Sequence, residues 1–149
     1  MEGIQTELKS KLSDKTIELK IELPKEKCQI IGGPLLKDAI SNIVENSIQH
    51  SKATTIKISC KHQKQKIICI IEDDGKGIPD EKKEEIFNKG YTTDKERGTG
   101  LGLYLAKTLI EIYNGEIKVE NSELGGTKFT IKLKKYQNNN KQQNKQTTN

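Results

Sequence analysis

Residues 66–79 read KIICIIEDDGKGIP, an unbroken apolar run followed by two aspartates, two glycines and a proline. The run from Ile67 to Ile71 is apolar on both faces, as a strand in the middle of a sheet must be. Asp73 ends that strand, where an ionised carboxylate is costly unless it is hydrogen-bonded. An aspartate in such a place commonly does no more than cap a turn. Beside Gly75 and Gly77 the sharper reading is an acceptor held at the floor of a pocket, able to take a hydrogen bond from an exocyclic amine.

Outward from this stretch the patterning is strongly periodic. Residues 54–61 alternate through Ile56, Ile58 and Cys60, and Ile17, Leu19, Ile21 and Leu23 alternate with charged residues until Pro24. A further short strand is expected at 28–31, before Gly32-Gly33-Pro34. Leu36, Ile40, Ile43 and Ser47 trace the apolar stripe of a helix running to about His50, whose opposite face carries Asn42, Asn46 and His50. Ile4, Leu8 and Leu12 predict a short amphipathic helix near the start. After the quoted stretch come a short acidic-basic helix to Phe87, a polar segment to Gly98, and a helix from about Thr99 to Tyr113 closed by Asn114-Gly115. Strands at 116–121 and 127–134 flank a hairpin turn at Gly125-Gly126. The order predicts an α+β, two-layer α/β sandwich, its mixed and mostly antiparallel sheet covered on one face by helices. No repeat is visible.

A chain of 149 residues is one domain's length, so a cleft between two domains is not expected. With 32% apolar residues and no Trp, burial must come from aliphatic side chains. Of the net charge of +5, Lys141 and Lys145 in the polar stretch 136–149 account for two, and Lys alternates with Glu elsewhere, which argues against nucleic acid. The residues 136–149, YQNNNKQQNKQTTN, offer nothing to bury and are expected to be a disordered tail. Cys28, Cys60 and Cys69 form no CxxC pair, and His50 and His62 lie at no zinc-ligand spacing from them. All three are expected to be reduced small hydrophobes, in a cytoplasmic protein. No run approaches the roughly 20 apolar residues that span a bilayer, so direct membrane contact is not expected.

Six of the twelve glycines (75, 77, 90, 98, 100 and 102) fall within 28 positions. Glycine count alone would permit a flexible loop. The second half, GTGLGLYLAK from Gly98, instead runs into a well-patterned helix, and a glycine-rich entry to a helix presents free N–H groups and a positive dipole end to phosphate. There is no GxxxxGK[ST], and Gly98, Gly100 and Gly102 give GxGxG after a polar loop, so neither a P-loop nor a Rossmann turn is indicated. Asn42 and Asn46 read blandly as polar residues on an exposed helix face. Facing a phosphate site, their neutral amide oxygens would suit Mg²⁺.

Four motifs then stand in order: NIVENSIQHS (42–51), DDGKGIP (73–79), EEIFNKGYTT (84–93) and GTGLGL (98–103), followed by GGTKF (125–129). With these the chain resembles the ATP-binding catalytic domain of sensor histidine kinases, in the superfamily shared with gyrase, Hsp90 and MutL ATPases. The resemblance implies the Bergerat fold, a five-stranded sheet covered by about three helices, over residues 15–135, with 1–14 the end of a linker helix. It implies that Asp73 receives the adenine amine with support from Thr127 through water, that Asn46 ligates Mg²⁺, and that Asn42 faces the phosphates. Gly75 and Gly77 would shape the adenine pocket, and Gly98, Gly100 and Gly102 would form the hinge and phosphate-facing start of a helix. Residues 79–97 would be a lid anchored by Phe87, with Lys95 or Arg97 reaching the γ-phosphate in place of the basic residue often found at position 49, here Gln49. His50, Ile78, Thr99, Leu101 and Leu103 are implied nucleotide contacts, and Asn42, Asn46 and Arg97 the catalytic set.

In the ATPase branches and the anti-sigma serine kinases, the position four before the Mg²⁺ asparagine is typically a Glu that serves as base. Here it is Asn42, which cannot accept a proton at neutral pH. Glu45 points about 100° round the helix from Asn46 and reads as solvated or salt-bridged. The implied activity is therefore phosphoryl transfer from Mg·ATP to a histidine on a separate dimerisation domain, with a response regulator downstream. Neither His50 nor His62 suits the acceptor role, so the chain is expected to be the catalytic half, monomeric by itself. The alternatives are an ATP-binding interaction module, an ATPase, or an anti-sigma-like serine kinase.

Overall fold

In the computed structural model, which describes residues 2–13, 16–24, 33–94, 96 and 98–135, helix α1 (Glu2–Leu12) and strand β1 (Glu18–Glu22) precede the long helix α2 (Gly33–His50). Strands β2 (Thr55–Gln63) and β3 (Lys66–Asp73) form a hairpin, two 3₁₀ turns follow at Asp80–Lys82 and Glu85–Phe87, and helix α3 (Gly102–Ile112) leads into β4 (Glu116–Asn121) and β5 (Thr127–Lys134). The five strands lie in the order β1-β2-β3-β5-β4, with β1 parallel to β2 and every other pairing antiparallel. This is the expected mixed, mostly antiparallel sheet with helices on one face. The expected strand at 28–31 with Cys28, the lid cations Lys95 and Arg97, and the tail 136–149 lie outside the described residues.

Strand parity builds the core. Ile56, Ile58 and Cys60 of β2, Ile67, Cys69 and Ile71 of β3, and Phe129, Ile131 and Leu133 of β5 are all buried on one face. Against them α2 sets Leu36, Ala39, Ile40, Ile43 and Val44, and α3 sets Leu103, Ala106 and Ile110. The central position of β3 accounts for its second apolar face. Ile68, 7% exposed, stands in register between Lys61 and Lys132, whose aliphatic stems can cover it while their charged heads reach water. Among the described residues no helix is long and apolar enough to cross a membrane.

Three expectations are corrected. The acidic-basic helix to Phe87 is two short 3₁₀ turns separated by Lys83 and Glu84. Helix α3 begins at Gly102 rather than about Thr99, because Gly100 holds a left-handed φ of +65° that no α-helix can contain. Cys60 and Cys69 are not separate reduced thiols: the antiparallel register sets them directly opposite on the core face, and the structure joins them as a disulfide.

Ser47 continues the buried stripe of α2 at 1% exposure, and its hydroxyl has no hydrogen-bond partner among the described residues. An unpaired buried hydroxyl costs about 1–3 kcal/mol. Ser47→Ala is accordingly expected to stabilise the fold by about 1 kcal/mol, a rise of roughly 3 °C in the midpoint of a thermal melt followed by circular dichroism.

Candidate functional site

Alternation along β3 decides the fate of its acidic residues. Asp73 has the same parity as Ile67, Cys69 and Ile71, so it is carried under the helical layer and is 1% exposed, whereas Glu72 and Asp74 are not fully buried. The Asp73 carboxylate is held by its own turn and by the start of β5: Gly75 N–H donates to Oδ1 at 2.9 Å and Thr127 N–H to the same oxygen at 3.2 Å. No hydrogen bond among the described residues reaches Oδ2, and Asp73 lines a cavity of about 880 Å³. That volume suits a ligand of nucleotide size.

Gly126 makes this arrangement possible. Its N–H donates to the Asp73 carbonyl at 3.1 Å. A Cβ on Gly126 would lie 2.5 Å from that carbonyl oxygen and from the Gly75 nitrogen, and closer still to the Asp73 carboxylate. Only a residue without a side chain lets β5 approach so near.

Asp74 does different work. Thr54 N–H and Thr55 N–H donate to its Oδ1 at 2.8 and 2.9 Å, and the Thr54 hydroxyl to Oδ2 at 2.6 Å, tying the end of β3 to the start of β2. The Thr54 hydroxyl first, then the Thr55 N–H, hold this carboxyl down from 3.8 to about 2. A carboxyl with a depressed folded pKa stabilises fully above its unfolded value, and the contribution is lost as pH falls through the folded one. Asp74→Ala is therefore expected to cost roughly 1 kcal/mol at neutral pH, solvent screening considered, and to weaken the loss of stability between about pH 4 and pH 2. Urea denaturation at stepped pH measures both.

Across the cavity from Asp73, α2 presents Asn42, Glu45, Asn46 and Gln49 at i, i+3, i+4 and i+7, with His50 at its end. The glycine-rich segment supplies another part of the wall, Gly98 through Leu103, where the first turn of α3 leaves N–H groups without helical acceptors. The preceding loop is pinned at its base by Gly90 N–H donating to the Gly100 carbonyl at 2.9 Å, and the Gly98 N–H closes it on the Asp94 carbonyl at 2.9 Å. Such a site joins a buried carboxylate acceptor, two amide oxygens and a helix N-terminus. Among the described residues no trio of His, Cys, Asp or Glu could hold a metal ion. Asn42 and Asn46 offer hard, neutral oxygens of the kind Mg²⁺ accepts when phosphates and water complete its shell.

Of the residues expected from sequence, Asn42, Asn46, His50, Asp73, Gly77, Ile78, Gly98, Thr99, Gly100, Leu101, Gly102, Leu103 and Thr127 line this one cavity. Gly75 stands behind Asp73 and reaches it through its N–H. Phe87 is buried in the core, its ring 6.3 Å edge-on from Phe129 and under the Lys107 ammonium at 5.5 Å. Thr127 touches Asp73 through its backbone N–H. Glu45 lines the cavity too, and its carboxylate is ion-paired with Lys11 of α1, in line with the salt-bridged reading of that residue. Lys76, Lys82 and Tyr91 also line the wall and were not singled out. The helical spacing of Glu45 from Asn42 was the available signal for Glu45; Lys76 lies within DDGKGIP, Tyr91 within EEIFNKGYTT and Lys82 within the expected lid.

Comparison with known proteins bears on the family and the fold. The family described as histidine kinase-, DNA gyrase B- and HSP90-like ATPase matches residues 33–137. The sensor histidine kinase CpxA of Escherichia coli K12 is 36% identical over 124 residues, covering 79% of this chain and 27% of CpxA. The chain thus spans about a quarter of the length of such relatives. Among solved structures, the catalytic domain of the histidine kinase ThkA is 28% identical with a TM-score of 0.78, over 90% of this chain and 89% of that one. The ATP-binding domain of PrrB from Mycobacterium tuberculosis is 25% identical with a TM-score of 0.71, over 87% and 88%.

Proposed function

The chain belongs to the family of histidine kinase-, DNA gyrase B- and HSP90-like ATPases, and from that membership we propose that it is the ATP-binding catalytic domain of a sensor histidine kinase. It transfers the γ-phosphoryl group of Mg·ATP to a histidine on a separate dimerisation domain. A response regulator then receives the group, and the domain works in the cytoplasm. The observation that carries the reading is the meeting of Asp73, the Asn42–Asn46 pair and the start of α3 in a single cavity.

In this mechanism Asp73 accepts a hydrogen bond from the adenine amine, with Thr127 supporting it through water, and so orients the base. Asn46 holds Mg²⁺ and Asn42 faces the phosphates. Bound Mg²⁺ supplies charge neutralisation at the phosphate chain. The first turn of α3 donates N–H groups to the phosphates. The bond from the γ-phosphorus to the β,γ-bridging oxygen breaks as the acceptor imidazole nitrogen bonds to phosphorus, ADP leaves, and the imidazole proton passes to the acceptor domain. Asn42 stands where an activated water would need a base, so hydrolysis has no built-in proton acceptor there. Catalysis by this chain is positioning and electrostatics.

The test mixes the chain with γ-labelled ATP, Mg²⁺ and the histidine-bearing dimerisation domain of a related sensor kinase. Acid-labile label should appear on the acceptor, and Asn46→Ala should lower the rate at least about 100-fold. Steady phosphate release by the chain alone, lost in Asn46→Ala, would make it an ATPase. ATP binding with no transfer to such acceptor domains from several related sensor kinases would make it an interaction module.

A further inference from the structure

We propose that Lys11 of α1 is a positioning residue for nucleotide binding, acting by neutralising Glu45 in the cavity wall. The inference rests on the reading of the cavity as a Mg·ATP site.

Of the four residues that α2 presents to the cavity in one stripe, Asn42, Asn46 and Gln49 are neutral, and Glu45 alone carries a negative charge. A bare carboxylate beside a polyphosphate opposes binding. Its charge is met from outside the cavity: the Lys11 ammonium pairs with Glu45 Oε1 across 34 residues of sequence. Lys11 is itself aimed by a relay of alternating charge. Glu7 Oε1 lies 3.3 Å from Lys11 Nζ one turn along α1, Glu7 Oε2 lies 2.6 Å from Lys37 Nζ on α2, and the Ser41 hydroxyl donates to Glu7 at 3.3 Å. Burial puts the relay in place. Leu8 is fully buried and Leu12 is 6% exposed, so apolar packing seats α1 against the domain and delivers Lys11 to Glu45. Of the lysines that do line the cavity among the described residues, Lys82 is engaged by Glu85 at 3.0 Å and Lys76 follows β3. Neither is paired with Glu45.

Thus α1 does more than lead into the domain: its docking sets the charge of the wall beside the metal-binding asparagine. The pair is half-exposed, so the effect should be moderate and sensitive to salt.

Calorimetric titration of the full chain with Mg·ATP separates the possibilities. Lys11→Ala should weaken binding about 3- to 5-fold at low salt and less at about 0.5 M salt. Glu45→Gln, which removes the wall charge while keeping Lys11, should bind as tightly as the unaltered chain or more so, and in that background Lys11→Ala should change affinity less than about 2-fold. Equal affinity for Lys11→Ala and the unaltered chain would overturn the proposal. So would a double variant as weak as Lys11→Ala alone, which would assign α1 a purely structural effect, or a weakened Glu45→Gln, which would make the carboxylate itself a ligand. An unaltered chain that failed to bind Mg·ATP would defeat the nucleotide reading, whereas binding unaffected by Lys11→Ala would defeat only the role of Lys11.

Discussion

Asp73→Asn is expected to remain folded and to lose at least about 100-fold in ATP affinity. The amide can keep its oxygen toward the Gly75 and Thr127 N–H groups, which donate to Oδ1 in the carboxylate. Its NH₂ then replaces Oδ2 on the cavity side, so an adenine amine would meet a donor where it requires an acceptor. A buried donor facing a donor leaves both unsatisfied, and sites built around one hydrogen bond discriminate strongly against its loss. Isothermal titration with ATP, with a thermal melt as the control for folding, gives the result. Affinity within about threefold of the unaltered chain would remove Asp73 from base recognition. The neighbouring carboxylate makes a sharp contrast, since Asp74 is engaged by Thr54 and Thr55 and its removal should affect stability much more than nucleotide affinity.

Gly126→Ala should be the most destabilising of the changes considered, by about 2–4 kcal/mol, with ATP binding lost in parallel. The added methyl would press on the Asp73 carboxylate, the Asp73 carbonyl and the Gly75 nitrogen. Two of these are backbone atoms that cannot turn aside, so β5 must move away from β3 and take the Thr127 N–H with it. Denaturant melts and nucleotide titration on the same samples measure the two losses. Gly102→Ala provides the comparison, because its methyl meets nothing within 4 Å, and its melt should be unchanged or slightly raised. Equal melts for the two variants would show that β5 tolerates the displacement.

Most of the architecture was legible because it rests on period. Alternation located β1 and β2, the unbroken apolar run located β3, the Gly125-Gly126 turn marked β4 and β5 on either side of it, and the apolar stripe of α2 located the helix that carries Asn42 and Asn46. Where period gave way to local backbone geometry the reading slipped: Gly100 at φ +65° delays the start of α3, and Asp80–Lys82 and Glu85–Phe87 turn with too few residues for an α-helix. The paired cysteines were illegible for another reason. Whether Cys60 faces Cys69 depends on the register of the hairpin, and sliding it by one residue would put them on opposite faces.

By itself the sequence determined the parity that buries Asp73, the helical spacing that aligns Asn42 with Asn46, and the glycine-rich entry to α3, since each follows from repeats within a few residues of chain. Tertiary structure alone decided what comes to meet them. Thr127 reaches Asp73 across 54 residues and Lys11 reaches Glu45 across 34. Periodicity reports the side on which a residue stands, but its partner is chosen by strand order, register and the burial of α1, which no local pattern contains.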